Sequence, residues 1–314
     1  MLSTLGTLLP IFGLVLAGFI CRKRNFLGPT AASELNRFVI WLGLPALLFD
    51  AVSHSSTSEL AQPGFIAAFA IAGAVIFAVV LVAQLLQRRH LADSSIDAIC
   101  ASYPNTAYVG FPLLMLVFGP ASLVPTTIAA VLTACVLFGL AVILMEIGML
   151  GETRQGSPLL AVGKSLAKNP LMIAPVLGAL FAASGLRMPS SIDSTLRLLG
   201  DAASPCALVS LGAFFVDNRK GFGAQGKAAR LALVKVFAQP LLTWVIAGPV
   251  LHLPSPIREM AVLLSALPTG TGPYMLAEFY RREAAVASQT ILYSTLGSLL
   301  SLTALLTLLH PARI

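Results

Sequence analysis

YPNTAYVGFP, residues 103–112, and LPTGTGPY, residues 267–274, interrupt two hydrophobic segments of this chain, one in each half of its 314 residues. Within a bilayer, backbone can leave the helix only where protein or a water-filled cavity satisfies the freed N–H and C=O groups. A matched pair of interrupted hydrophobic segments is the best sequence-level indication of the binding site of a secondary transporter. The two stretches therefore predict a membrane carrier whose site lies at two helix breaks.

The composition excludes a soluble domain. Hydrophobic residues make up 57% of the chain and charged residues 11%, with a mean hydropathy of +0.88, whereas soluble domains carry roughly 25% charged residues. Because the low charge extends along the whole length, we predict a polytopic protein whose main partner is the lipid bilayer. The net charge of +7 does not indicate nucleic acid, since the basic residues cluster in short loops.

Ten hydrophobic spans fit the sequence, each near the roughly 20 residues that a helix needs to cross a bilayer. They are residues 2–20, 36–53, 63–86, 94–118, 122–148, 167–185, 194–216, 230–252, 257–280 and 285–309. The predicted fold is therefore an all-α polytopic membrane protein with ten transmembrane helices, of which the fourth and ninth are broken.

The basic residues predict the orientation. Four of the twenty lysines and arginines, namely Arg187, Arg197, Arg258 and Arg313, fall on one side of the predicted membrane. The other sixteen, Lys235 among them, fall in or beside the loops after the odd-numbered spans. Because cytoplasmic loops carry an excess of basic residues, both termini are predicted on the non-cytoplasmic side of the cell membrane (inner or plasma).

The longest connection divides the chain into two halves of five spans. Residues 1–150 form the first repeat, 151–166 a cytoplasmic linker and 167–314 the second repeat. An odd number of spans in each half makes the second half enter the membrane upside down. Short matches in the same order support the repeat, such as PIFG from Pro10 and PVLG from Pro175. We therefore predict an inverted five-plus-five repeat with crossing broken helices.

The breaks carry groups suited to an anion. A broken helix exposes N–H groups with positive dipole character at the start of its second half. Side chains and glycines in the breaks complete the predicted substrate site, which comprises Asn105, Thr106, Tyr108, Gly110, Thr269, Gly270 and Thr271. A single kinked helix would be explained by structure alone, because Gly and Pro are common in transmembrane segments. Two matched breaks rich in polar residues favour function.

These residues resemble those of the auxin efflux carrier family, which includes plant auxin exporters and bacterial malate and malonate permeases. The resemblance lies in Pro104-Asn105-Thr106, in GFPLL at 110–114, in PTGTGPY at 268–274 and in LPALLF at 44–49, and it extends over the whole chain. It implies ten spans in an inverted repeat, with the fourth and ninth crossing at prolines, here Pro112 and Pro273.

The resemblance also implies that two groups of spans have different roles. Spans one, two, six and seven would form a scaffold, and the other spans a moving transport unit. Asn105 matches the asparagine that contacts the substrate carboxylate in plant relatives. The short central connection departs from plant members, which often carry a long regulatory loop there.

Two further polar residues inside predicted spans are candidate ion or proton sites, because intramembrane polar groups are costly and usually functional. Asp201 in the seventh span either binds a proton or cation or pairs with a neighbouring helix such as that of Lys235. Gln239, next to Pro240 in the eighth span, is a candidate lining residue.

No cofactor, metal or catalytic set is predicted. A P-loop would need a glycine five residues before Gly163-Lys164-Ser165, where Pro158 stands instead. The histidines show no metal-ligand spacing, and paired aspartates or a Ser/His arrangement at membrane depth are not visible. The chain is therefore not expected to be an enzyme.

The sequence thus predicts an alternating-access secondary transporter for a small organic anion, most simply a carboxylate. A channel or a sensor that uses the same fold is the alternative. Efflux of an anion from a negative-inside cell needs no coupled ion, whereas uptake would need a proton or a sodium ion. A homodimer through the scaffold would suit this architecture.

Overall fold

The computed structural model describes residues 2–54, 61–149, 170–217, 225–282 and 284–309. Within these ranges the chain is helical, and one isolated β-bridge is the single piece of extended pairing. The helices are α1 Leu2–Lys23, α2 Ala31–Phe38, α3 Leu44–Ser53, α4 Pro63–Leu86, α5 Leu91–Ser102, α6 Phe111–Phe118, α7 Leu123–Val131, α8 Phe138–Met149, α9 Pro170–Ser184, α10 Ser190–Asp217, α11 Gln225–Leu233, α12 Gln239–Val245, α13 Ser255–Ala266, α14 Gly272–Phe279 and α15 Ala285–Leu309. The predicted linker, residues 151–166, lies outside the described residues.

Within the described ranges, six helical stretches are long and apolar enough to cross a membrane. They are Ala31–Ser53, Pro63–Leu86, Thr106–Met149, Ser190–Asp217, Gln225–Val250 and Ala285–Leu309. Several join consecutive helices through short turns of wider or tighter winding. Large apolar side chains also lie on the outer surface, including Leu300, which is 76% exposed, and Phe279, which is 79% exposed. Such an apolar surface suits lipid, and the prediction of a helical membrane protein is confirmed.

Prolines explain three of the wider turns. π-helical turns at Val39–Gly43, Thr106–Gly110 and Val234–Ala238 each end two residues before a proline. A proline ring clashes with the carbonyl four residues earlier and cannot donate to it. Widening the preceding turn relieves that clash, so the helix continues past the proline.

One group of helices, which we call the first body, comprises α1, α2, α3, α9 and α10. Helix α1 packs along α10, and α3 packs against both α9 and α10. Glycines permit very close contact between α1 and α10: a Cβ atom on Gly212 would lie 1.9 Å from the Val15 carbonyl oxygen, and one on Gly18 would lie 2.1 Å from that of Val209. Small residues at such crossings are the usual means of helix association in membranes.

The remaining helices, which we call the second body, surround the two interrupted segments. Helix α4 packs on α5, α12 packs on α13, and α15 contacts α11, α13 and α14. Buried apolar side chains such as Phe65, Leu113, Leu263 and Ile291 form one core cluster around the half-helices α6 and α13. The breaks therefore lie inside protein rather than against the outer surface.

Candidate functional site

The first break is short. Helix α5 ends at Ser102, Tyr103 has an extended conformation (φ −97°, ψ 92°), and helical winding resumes at Thr106. The Asn105 side-chain oxygen accepts a hydrogen bond from the Tyr108 N–H at 3.3 Å, which caps the new turn. Pro112 then lies in the first turn of α6.

The second break has the same plan. Helix α13 ends at Ala266, and Leu267 is extended with φ −57° and ψ 150°. The chain becomes helical again at Gly272, so that Pro273 lies in the first turn of α14. Pro273 thus occupies the start of its half-helix, where the missing N–H costs no intrahelical hydrogen bond, whereas Pro112 follows the π-helical turn Thr106–Gly110.

The two breaks meet in the interior. Pro104 and Thr269 form an antiparallel bridge. The Asn105 N–H donates to the Pro268 carbonyl at 2.8 Å, and the Gly270 N–H donates to the Tyr103 carbonyl at 3.0 Å. Backbone groups freed by one break are therefore satisfied by the other, which allows non-helical backbone at membrane depth.

Thr269 supports this junction with its side chain. Its hydroxyl donates to the Cys100 carbonyl at 2.8 Å in the last turn of α5, and its N–H donates to the Ser294 hydroxyl at 3.0 Å. Thr269 is fully buried. Its hydroxyl therefore ties the second break to the first half-helix.

The carbonyl ends of both first half-helices are capped by one neighbouring segment. Lys235 Nζ donates to the Ser265 and Leu267 carbonyls at 2.7 and 2.6 Å, at the end of α13. Gln239 Nε2 donates to the Ser102 carbonyl at 3.1 Å, at the end of α5. Both side chains are fully buried. The two residues are four apart, one helical turn, so a single face serves both breaks.

Lys235 corrects part of the sequence interpretation. Its position in the sequence predicts a place at the flank of a cytoplasmic loop, but its side chain lies in the protein interior. The alternative that its helix pairs with Asp201 is also wrong for Lys235 itself, because its Nζ atom donates to the α13 carbonyls and Asp201 is exposed. An intramembrane lysine is costly and usually functional, and that signal was available in the sequence.

A cavity of about 470 Å³ lies beside the junction. Five of the predicted substrate residues line it: Asn105, Thr106, Tyr108, Gly270 and Thr271. The other two, Gly110 and Thr269, are not in its wall, and a Cβ atom on Gly110 would instead meet Leu267 and Leu264. The opposite wall includes Trp41 and Leu44 from the first body. The cavity thus lies between the breaks and the first body.

Asn105, in the wall of this cavity, carries an unpaired donor. It is 4% exposed, and among the described residues its Nδ2 atom has no hydrogen-bond partner. A buried amide donor left unpaired costs free energy. Its oxygen is already used as a cap, so an incoming acceptor would be bound by the N–H groups.

Aromatic and glycine residues shape the same wall. The Tyr103 ring lies against the second break, where a Cβ atom on Gly272 would be 2.8 Å from the ring Cζ atom and one on Gly270 would be 3.0 Å from Cε1. Glycine at these positions is therefore required for close approach. The Tyr108 hydroxyl donates to the Asn36 side-chain oxygen on α2, which joins the first break to the first body.

Asp201 lies in a different place. It is exposed and lines a second cavity of about 990 Å³, together with Pro112, Asp50 and Arg197. Phe111, which is 3% exposed, lines both this cavity and the central one. Phe111 therefore belongs to the walls of both spaces.

Charged groups cluster beside the second cavity. His54 lies 3.2 Å from an Asp50 oxygen through Nδ1 and 3.4 Å from an Asp193 oxygen through Nε2, and Arg197 lies 3.2 Å from the other Asp193 oxygen. The side chains of Asp50, His54 and Asp193 are near enough to one another to hold a metal ion. The spacing of the histidines in the sequence does not indicate such a site. Arg197 supplies a positive partner to the same carboxylate.

Comparison with known proteins fits this geometry. The profile of a family described as "Membrane transport protein" matches residues 3–306. The chain belongs to the auxin efflux carrier family. A member named "Putative malonate transporter" from Rhizobium meliloti (strain 1021) is 28% identical, over 97% of this chain and 95% of its own. The uncharacterized transporter YfdV of Escherichia coli (strain K12) is 25% identical over 93% of both chains.

A plant member of the auxin efflux carrier family also matches. Auxin efflux carrier component 8 of Arabidopsis thaliana is 21% identical, over 92% of this chain and 93% of its own. The family assignment predicted from the break motifs is confirmed, and with it a membrane transporter rather than a soluble protein. Lys235 and Asn36 are the site residues that motif reading missed.

Proposed function

We propose that this transporter moves a small organic anion, a carboxylate, across the cell membrane by alternating access. The observation that carries the proposal is the unpaired Asn105 amide donor in the wall of a cavity beside two joined helix breaks. Amide N–H groups donate and carboxylate oxygens only accept. A carboxylate bound there would relieve the unpaired donor.

The electrostatics of the central cavity support an anion. Among the residues described, its wall contains no charged side chain. The second half-helices begin at Thr106 and Gly272, both in this wall, and helix N-termini carry positive dipole character. Low local dielectric strengthens these partial charges. The malonate transporter relative, which carries a dicarboxylate in its name, supports a substrate of this class.

The helix contacts support the ten-span inverted repeat that we propose. In the first body, span one packs on span seven (α1 on α10) and span six packs on span two (α9 on α3). In an inverted repeat, span one corresponds to span six and span two to span seven, so these two contacts are equivalent. The 44-residue stretch Thr106–Met149 would be about 66 Å long if straight, roughly twice a hydrocarbon core. We place the reversal between spans four and five at Gly119, which has a φ of +69°.

The two cavities support alternating access. The central cavity includes Trp41 and Pro170, near ends predicted to face the cytoplasm. The second cavity includes Asp50 and His54, at the opposite end of the second span. We propose that Phe111 closes the path between them while the second body moves against the first. In this proposal both termini face away from the cytoplasm. The outer face of the first body is then available as the interface of a homodimer.

Counterflow in proteoliposomes tests the function. Liposomes loaded with unlabelled malonate, malate or a monocarboxylate should accumulate the labelled anion at saturating rates, whereas a channel would not show saturable exchange. Asn105→Ala should lower exchange at least about tenfold if the amide donates to a carboxylate, since hydrogen bonds to charged groups contribute about 1.5–3 kcal/mol. Asn25→Gly, at an exposed turn position with φ +59°, is the matched control. Unchanged exchange by Asn105→Ala would refute the site.

A further inference from the structure

A third cavity, of about 320 Å³, lies in the second body away from the helix breaks. Its wall is mainly charged, and among the described residues it shares no member with the wall of the central cavity. The charged side chains that line it are Arg89, Asp93, Asp97, Lys227, Arg281 and Arg282. Four basic and two acidic groups leave a formal excess of two positive charges. A cleft lined by an excess of one sign of charge attracts ions of the opposite sign.

Three parts of the second body bring these charges together. Helix α5 contributes its first turns, α11 contributes Lys227, and the connection between α14 and α15 contributes two arginines. Lys227 forms an ion pair with Asp97, which joins α11 to α5. Arg282 contacts both carboxylate oxygens of Asp93 at 2.8 and 2.7 Å, which joins the connection to α5. The ion pairs therefore fix the walls of the cavity.

These pairs use both acidic groups and leave two arginines over. Among the described residues, no carboxylate oxygen lies within 4 Å of a guanidinium nitrogen of Arg89 or Arg281. Two like charges beside one cavity repel each other, and an anion bound between them would replace that repulsion by attraction. The unpaired charge of the cavity is therefore positive.

Arg281 stands at a position where glycine is usual. Helix α14 ends in a turn in which the Arg281 N–H donates to the Glu278 carbonyl at 3.1 Å and the Arg282 N–H donates to the Ala277 carbonyl at 2.8 Å. Arg281 has a φ of +53°, in the left-handed region that favours glycine at helix ends. The turn nevertheless places two consecutive arginines at one cavity, the first unpaired and the second bound to Asp93.

The position of the cavity indicates the kind of anion. Arg89, Lys227 and Arg281 lie in the connections after spans three, seven and nine, which are predicted on the cytoplasmic side. Basic pockets between transmembrane helices on that side bind phosphate-bearing lipid headgroups. A phosphate group presents oxygens in several directions and pairs well with guanidinium groups. The start of α5, just after Arg89, adds the positive end of a helix dipole.

We propose that this cavity is a binding site for a phosphate group, held by Arg89 and Arg281 between the two ion pairs. The group would belong to an anionic phospholipid or to free phosphate, two sources with the same recognition chemistry. A bound headgroup would anchor the predicted cytoplasmic end of α5, the helix that leads to the first break. Because this cavity and the central one share no described wall residue, either site can exist without the other.

Thermal unfolding of the purified protein in detergent tests the free anion. Replacing potassium chloride by potassium phosphate at pH 7 should raise the unfolding midpoint of the wild type by about 2 °C or more if free phosphate is bound. Ionic strength is held constant, because salt screens exposed charges. Phosphate also stabilises folded proteins without binding to a site, so the rise is compared with that of the variants below.

Bilayer discs test the lipid source. The wild type is placed in discs of phosphatidylcholine alone and in discs that also contain phosphatidylglycerol, which is anionic. If the site binds a headgroup, the midpoint should be higher with phosphatidylglycerol, again by about 2 °C or more. A response in discs alone assigns the site to a lipid, and a response in detergent shows that free phosphate is sufficient.

Two double variants with the same change of charge separate the cavity from general attraction. Arg89→Gln with Arg281→Gln removes the unpaired arginines and keeps both ion pairs. Arg24→Gln with Arg37→Gln removes two exposed arginines on the same predicted side. The cavity variant should lose the response that the wild type shows, and the surface variant should keep it.

Two results would overturn the proposal. One is a wild-type midpoint that responds neither to phosphate nor to phosphatidylglycerol, a comparison that needs no substituted protein. The other is a cavity variant that responds as strongly as the surface variant, since the attraction would then be general. Anion exchange is not measured in these experiments, so their outcome is independent of the proposed transport function.

Discussion

Tyr108 donates its hydroxyl hydrogen to the side-chain oxygen of Asn36, from the first helix break to helix α2. The two residues are 72 positions apart and belong to different bodies of the fold. Tyr108 is 5% exposed and lines the central cavity. This hydrogen bond is thus a direct polar link between the proposed moving part and the proposed scaffold.

Removing that hydrogen bond should change the rate of anion exchange more than it changes the stability of the protein. Tyr108→Phe deletes one hydrogen bond, for which we expect a loss of about 0.5–1.5 kcal/mol in stability, and the relative stability of the two access states should change with it. A double-mutant cycle tests this, with exchange rates and unfolding midpoints measured for Tyr108→Phe, Asn36→Ala and the double variant. Strictly additive effects would show that the two side chains are not coupled.

The glycine crossing of α1 and α10 should not accept a methyl group. In Gly212→Ala the new Cβ atom would meet the Val15 carbonyl at 1.9 Å, so the helices must separate. We expect a loss of about 1–3 kcal/mol or more, measured as a lowered unfolding midpoint. Gly13→Ala on α1 has no atom within 4 Å of its Cβ and should keep or slightly raise the midpoint, because alanine favours a helix interior more than glycine does. Equal effects at both positions would contradict the packing.

Truncating Phe111 should join the two cavities. Phe111→Ala removes a ring that lies in the wall of both, and we expect net leakage of labelled anion from liposomes that hold no exchange partner outside. A buried Phe→Ala change also costs about 3–5 kcal/mol of stability, so the leak is normalised to folded protein. Phe279→Ala, at a site 79% exposed, is the control. A folded Phe111→Ala protein that shows no leakage of labelled anion would indicate that another group closes the path.

The ion pair between Arg282 and Asp93 should contribute only modestly to the free energy of unfolding. Two guanidinium nitrogens contact the two carboxylate oxygens at 2.8 and 2.7 Å, but the side chains are 20% and 36% exposed. Partly exposed pairs contribute about 0.2–1 kcal/mol and weaken with salt. A double-mutant cycle on unfolding midpoints should give that coupling for Arg282→Gln and Asp93→Asn. The exposed pair Arg37 and Glu34, 3.8 Å apart, should give none.

Sequence reasoning located the breaks because their chemistry is local. Proline removes an N–H and glycine permits close approach, so Pro104 and Gly272 identify backbone that leaves the helix. The position of the first break was less well predicted. The sequence predicts that residues 106–110 belong to this break, but they form a π-helical turn, because widening the turn accommodates Pro112 without unwinding the chain.

Long-range partners could not be predicted in the same way. Thr269 was assigned to the substrate, yet its hydroxyl bonds the Cys100 carbonyl 169 positions away, a contact that depends on how two helices are placed. Asn36 and Gln239 likewise acquire their roles only through tertiary packing. Lys235 is different, since an isolated lysine in an apolar span is visible in sequence, and only its nearness to a span boundary concealed it.

The shared anchorage of both breaks on Lys235 and Gln239 restricts how the carrier works. Because one helical turn grips the ends of α5 and α13, those ends have to travel together. The pocket would then keep the same shape whichever compartment it faces. Half-saturating anion concentrations should therefore be equal from either side of the membrane.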